Sequence, residues 1–346
     1  MWLFLLACAG PGSSPTDTGS VDLLDLLGNP GDHDVGHRDD SVTYADPVSG
    51  ADRTLHLSTW YPTTATDGEE ATYFQGSITA EGVWQDAPAE AGPFPVVVMS
   101  HGHQAYAEYA SFLAEHLASH GWIVAAPDHT GNTTLDGSDR TTEIYAQRPL
   151  DISAVLDWVD ANLTTTETRV LLGHSFGGYT ALALAGATYD PAALDCPDPT
   201  TPFCSTMTPT LRSMFEAGFF EPRFQAAIVM APGDFEKFGA DGVGAISLPV
   251  FHMTGTEDQG PGSEADDLWA ALEGGENRRI ILEGAGHQSF TDFADVMEDV
   301  PMSAEESTWI LDVYSLAWAL RTDGDDVGAP VLDGDTEVSP DAALLK

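Results

Sequence analysis

Between about residues 41 and 321, short apolar runs alternate with longer stretches of helical spacing. Residues 54–60 alternate apolar and polar side chains, the period-2 pattern of a half-buried strand. Residues 95–100, 122–126, 169–173, 225–230, 249–253 and 279–282 are near-continuous apolar runs of strand length, as strands covered on both faces require. Helices are predicted over about 105–120, 150–162, 175–187, 263–273 and 303–321. The last opens with Ser303 and Glu306 in capping-box spacing and sets Ile310, Val313, Tyr314 and Ala317 on one face. This alternation predicts one α/β domain over 41–325, its sheet mostly parallel with helices on both faces.

Three segments break the rhythm. Residues 1–40 read as an apolar leader followed by an acidic linker rich in Pro, Gly, Ser and Thr; residues 326–346 read as a solvated acidic tail. Residues 189–223 lack a strand signal and are expected to cap the strand ends. In an oxidising compartment their Cys196 and Cys204 are expected to close a short disulfide loop. The pattern Leu5-Leu6-Ala7-Cys8 resembles a bacterial lipobox, which implies lipidation of Cys8, although no Lys or Arg precedes it. The implied location is outside the cytoplasm: periplasmic, outer-membrane lipoprotein or secreted. Membrane attachment is expected only through that lipid.

Charge narrows the partners. Twelve basic residues face 55 acidic ones, a net charge of −43. Such a polyanion is repelled by nucleic-acid backbones and by anionic headgroups. It suits either high salt or an ordinary acidic exported protein.

The chemistry concentrates in a few phrases. Gly173-His174-Ser175-Phe176-Gly177 fits G-x-S-x-G between a strand and a helix, the context in which a serine is lifted above a sheet as a nucleophile. A phosphate loop would want a lysine, and none is near. The activating base must be a histidine later in the chain; His287, in a glycine-rich loop after the last predicted strand, is favoured over His252 within a strand. Asp258, just past strand 249–253, is the expected acid, with Asp234 its rival. The N–H groups of Phe176 and His103 are the expected oxyanion donors, Gly102 giving that turn its freedom. His116 and His120 have the i, i+4 spacing of a zinc pair but lack a third ligand, so a solvent-facing or capping role is expected. Asp128-His129 are read as pocket lining or loop bracing; Trp84, Tyr106 and Tyr109 as pocket or core.

These phrases, with 60–62, 97–102, 117–129, 148–152 and 286–293, resemble the α/β-hydrolase superfamily. They are most similar to platelet-activating-factor acetylhydrolase-like and dienelactone-hydrolase-like bacterial esterases. The resemblance implies an eight-stranded sheet and hydrolysis of small or medium acyl esters through an acyl-serine, with no metal or organic cofactor. Ser175 departs from the cysteine of dienelactone hydrolases proper. In the animal acetylhydrolases the acid follows the preceding strand, where this chain has Ala231. A polyester or cutin hydrolase is the enzymatic alternative, and a surface lipoprotein using the fold for binding the non-enzymatic one.

Overall fold

The computed structural model describes residues 22–137, 139–260 and 264–346; Cys8 lies outside them. Among the described residues eleven strands form one sheet. They are β1 (Asp34–Ala45), β2 (Asp52–Thr63), β3 (Glu70–Tyr73), β4 (Ile78–Gln85), β5 (Phe94–Ser100), β6 (Ile123–Pro127), β7 (Thr165–His174), β8 (Ala226–Met230), β9 (Val250–Gly255), β10 (Arg278–Leu282) and β11 (Ala342–Leu345). Across the sheet the order is β11-β10-β9-β8-β7-β5-β6-β2-β1-β4-β3. The run from β6 through β5, β7, β8 and β9 to β10 is parallel; β2 joins it antiparallel, and β11 closes the other edge antiparallel.

Alternation along the central strands divides the core in two. Val97 and Met99 of β5, with Val170 and Leu172 of β7, meet the helices Ser111–Ser119 and Ala304–Thr322. Val96, Val98 and Leu171 point the other way, toward the helices Thr142–Asn162 and Phe176–Leu184. Ser303 caps the helix Ala304–Thr322 by accepting from the Glu306 N–H, and the four residues assigned to its inner face are all buried. Glu306 does not return the bond; its carboxylate takes the Ser339 hydroxyl.

Several expectations need correction. The domain reaches further at both ends than 41–325. Leu23, Leu24 and Leu27 give the short helix Leu23–Gly28 an apolar side, and Leu27 is fully buried. β1 then pairs with β2 along its whole length, Asp34 against Thr63 through Ala45 against Asp52. The supposed tail buries Val331 and Leu332, and Asp333 takes Arg278 and Arg321 before the chain returns as β11. The sheet therefore has eleven strands where eight were expected, the additions lying toward its edges.

The helix expected from residue 150 begins at Thr142 and contains Pro149. A proline there removes the N–H that would reach the Tyr145 carbonyl. The Tyr179 hydroxyl, at 3.0 Å, donates to that carbonyl instead. Among the described residues no helix is long and apolar enough to cross a membrane.

Candidate active site

Ser175 directly follows β7 near the middle of the sheet, at the carboxyl ends of the parallel strands where open α/β sheets bind ligands. Its backbone is held at φ 56°, ψ −118°, a strained conformation for a residue with a Cβ. The turn closes only because its neighbours lack side chains. A Cβ on Gly173 would stand 2.1 Å from the Gly177 carbonyl oxygen, and one on Gly177 would stand 1.8 Å from that of Ser100. Both glycines are therefore demanded by space.

β9 and β10 lie beyond β8 on the same side, and the loops that follow them bring two more side chains to the serine. The Ser175 Oγ lies 2.9 Å from His287 Nε2, and His287 Nδ1 lies 2.9 Å from Asp258 Oδ2. A carboxylate only accepts, so the imidazole carries its proton on Nδ1 and offers Nε2 to the hydroxyl. Burial pushes the Asp258 carboxyl up, but the bond and charge of His287, helped by the Gly260 N–H, outweigh it and hold the group below the usual carboxylate range. The Asp258 side chain is almost fully buried and that of His287 mostly so. The sequence-predicted serine, histidine and aspartate are thus brought together.

The rival aspartate is engaged elsewhere. Asp234 accepts from Arg140 Nη1 and from the Tyr145 hydroxyl, both at 2.7 Å. His252 is buried within β9. Glu257 is exposed, with its backbone N–H on the Ala285 carbonyl.

Phe176 and His103 flank Ser175. Phe176 is the first residue of a helix, so its N–H has no partner within that helix. Its ring lies beneath two cations, Arg140 at 4.4 Å and Arg148 at 4.6 Å. Gly102 is not required for φ, since the positive φ of this loop falls on Gln104, and a Cβ at Gly102 would meet His174 Nδ1 and Ser175 Cβ at 3.4 Å, close to ordinary contact.

A buried polar scaffold that the sequence reading missed holds this loop. Arg148 is fully buried and donates to Thr180 Oγ1, Asn132 Oδ1, Ser100 Oγ and the His101 carbonyl. Asn132 in turn donates to His103 Nδ1 at 2.9 Å. Burial lowers the Arg148 guanidinium to about 9. On the other side Asp151, also fully buried, accepts from Arg53, Tyr44 and His129 Nδ1, and His129 Nε2 meets Ser100 Oγ. His129 is therefore a brace and not pocket lining, and His101 accepts its N–H. The signal was available in Arg148-x-x-Asp151, one turn apart on a helix facing the loop. His174 was also passed over. Its Nε2–H donates to the His287 carbonyl at 2.9 Å, and burial lowers its pKa to about 3, so it orients the base as a neutral ring.

A cavity of about 540 Å³ opens beside Ser175 and His287, walled by Phe74, Tyr106, Tyr109 and Phe293. No residue of 189–223 lines it, which corrects the expected cap. That insertion packs against the helix Thr142–Asn162 instead, Phe203 set edge-on to Tyr145 and stacked near Tyr189. Cys196 and Cys204 stand at disulfide spacing within it, Cα atoms 5.4 Å apart. Trp84, on β4, does not line the cavity either. His116 is buried, whereas His120 is half-buried and caps the carboxyl end of the helix Ser111–Ser119; each Nε2–H donates to a carbonyl near the first helix, those of Leu27 and Asn29.

The overall arrangement has close solved counterparts. A ferulic acid esterase structure from Streptomyces cinnamoneus superposes with a TM-score of 0.67 over 90% of this chain and 96% of that one, at 20% identity. The chain is an α/β-hydrolase by fold. Within the sequence, a family model described as chlorophyllase matches residues 72–197, which carry Gly102, Arg148 and Ser175. Chlorophyllase-2 of Arabidopsis thaliana is 36% identical over 102 residues, covering 28% of this chain and 31% of that protein. A platelet-activating factor acetylhydrolase of Canis lupus familiaris is 35% identical over 78 residues, 22% of this chain and 16% of its own. The chain thus matches about a third or less of the length of these curated relatives.

Proposed function

We propose that this protein is a serine hydrolase of carboxylic esters. The observation that carries the reading is the hydrogen-bond chain Ser175–His287–Asp258, with both links at 2.9 Å, at the mouth of an aromatic-walled cavity. A serine hydroxyl is a weak nucleophile until an imidazole takes its proton. His287 Nε2 accepts that proton as Ser175 Oγ attacks the ester carbonyl, and Asp258 stabilises the imidazolium without itself becoming protonated. The carbonyl oxygen gains charge and is received by the N–H groups of Phe176 and His103, near the two guanidinium groups over the Phe176 ring. His287 returns the proton to the leaving alcohol. Water then enters by the same base, and the acid and free serine are released. The esterase and acetylhydrolase among the similar proteins support ester bonds as the substrate class.

Because residues 189–223 leave the cavity uncovered, a bulky or polymeric ester is the second reading. Met297, 63% accessible, lines the cavity, and its neighbour in sequence Val296 is 79% accessible; such exposed apolar side chains suit an extended apolar substrate. Nitrophenyl esters from acetate to dodecanoate, a soluble polyester and a fluorophosphonate probe separate the possibilities. Labelling and hydrolysis that vanish in Ser175→Ala are expected. A folded protein that neither labels nor hydrolyses would overturn the reading in favour of a binding protein.

A further inference from the structure

We propose that His37, Asp39 and Glu108 form a binding site for one divalent transition-metal ion of the zinc class, outside the Ser175 site. One donor atom from each lies within 4.8 Å of the other two. The strands dictate the grouping. His37 and Asp39 are two apart on β1 and so share a face; Ser58, directly opposite Asp39 on β2, and His56 share it as well. Glu108 comes down onto this face from the loop before the helix Ser111–Ser119.

The tautomer of His37 gives the cluster its purpose. Gln85 Oε1 lies 3.3 Å from His37 Nδ1, and an amide oxygen only accepts, so Nδ1 carries the proton. The lone pair is left on Nε2, which is fully buried, makes no hydrogen bond among the described residues, and faces Asp39 Oδ1 at 3.8 Å. A bare imidazole nitrogen beside two carboxylates is electrostatically unfavourable, and a cation between them removes the conflict.

The surroundings are those of a metal centre. Gln85 orients the ligating histidine, the Ser58 hydroxyl donates to Glu108 at 2.7 Å, and His56 Nε2 meets Asp39 at 3.1 Å. Three protein ligands of N, O, O type at bond lengths of about 2.0–2.2 Å leave a coordination position open. A cavity of about 410 Å³ borders Asp39 and Glu108, so that position has access to solvent or a small ligand. Phe74 and Tyr106, rings 4.6 Å apart, line both this cavity and the one beside Ser175.

The site predicts a definite titration. Chelator-stripped full-length protein should bind one equivalent of Zn²⁺ in high salt with excess Mg²⁺, conditions that occupy its many surface carboxylates. Co²⁺ in its place should develop a visible absorption band, and Zn²⁺ should raise the thermal midpoint. Asp39→Asn and Glu108→Gln should each weaken Zn²⁺ binding by about tenfold or more, and Gln85→Leu by about ten- to a hundredfold. Asp39 is exposed enough that its variant retains the fold even where a change at His37 disturbs the core, and circular dichroism verifies this. Two results would overturn the site: no saturable equivalent beyond what Ca²⁺ gives, or an equivalent unchanged in the folded Asp39→Asn and Glu108→Gln proteins.

Discussion

Ser175 adopts a backbone conformation that side chains rarely tolerate, and two glycines make room for it. Gly177→Ala places a methyl into the Ser100 carbonyl, a backbone atom that cannot swing aside. It is expected to cost more than about 4 kcal/mol, in the range reserved for severe core clashes, and chemical denaturation of the purified variant measures it. Asp258→Asn acts differently. The amide fills the same space but favours the wrong tautomer of His287, so turnover on a nitrophenyl ester should fall by roughly 10⁴ with the melting temperature nearly unchanged. Near-normal turnover would remove Asp258 from the mechanism. Ser175, Asp258 and His287 were legible because each sits in a turn with a sequence signature shortly after an apolar run. Arg148, Asp151 and Asn132 were not. Their partners are a guanidinium, imidazoles, carbonyls and hydroxyls spread over residues 44 to 180, and Arg148-x-x-Asp151 announces only two charges on one helix face, not the network they join.

At the scale of elements, the central strands could be read because burial on both faces makes them continuously apolar. β1 hid its strand among charges, since the face that buries Val35 and His37 goes on to expose Asp39 and Ser41, and Val42 is buried on the opposite face, so no simple alternation survives. β11 is four residues long and gains its structure only by pairing with β10. Pro149 shows why a local rule failed inside a helix. The carbonyl it orphans finds a donor on the helix Phe176–Leu184, so propensity gave way to a tertiary bond. Tyr179→Phe should then cost about 1–3 kcal/mol, because the Tyr145 carbonyl loses its donor and the Tyr189 hydroxyl its partner. In a Pro149→Ala background the backbone N–H returns to that carbonyl, and the same tyrosine change should cost measurably less. A double-mutant cycle by urea denaturation reads the difference; strict additivity would show that the two features are uncoupled.

Over the whole molecule, the few cations are consumed internally. Nine of the ten arginines form ion pairs with carboxylates, and the tenth, Arg148, is buried in its hydrogen-bond network. A net charge of −43 is therefore displayed almost without relief, and self-repulsion should lower stability in dilute buffer. Raising salt to about 1 M shortens the screening length to roughly 3 Å, so the thermal midpoint should rise with sodium chloride. Acidification adds two separable stabilising contributions, set against the cost of charging histidines such as His116 and His174 that burial keeps neutral. Protonation of surface carboxylates relieves repulsion, and that share should shrink in high salt. The other share is local: burial, despite the bond from the Tyr73 hydroxyl, raises the Glu115 carboxyl to about 7. The folded state then holds a proton that the unfolded chain releases near about 4.3. Between those values Glu115 holds more proton in the native protein than in the unfolded one, so its contribution to stability is greatest below the lower value and is lost as pH climbs to about 7. In about 1 M salt the stability difference between wild type and Glu115→Gln, followed by thermal melts, should shift in favour of the wild type as pH falls from about 7 toward about 4.3. A difference that stays constant across that window would remove Glu115 from the linkage.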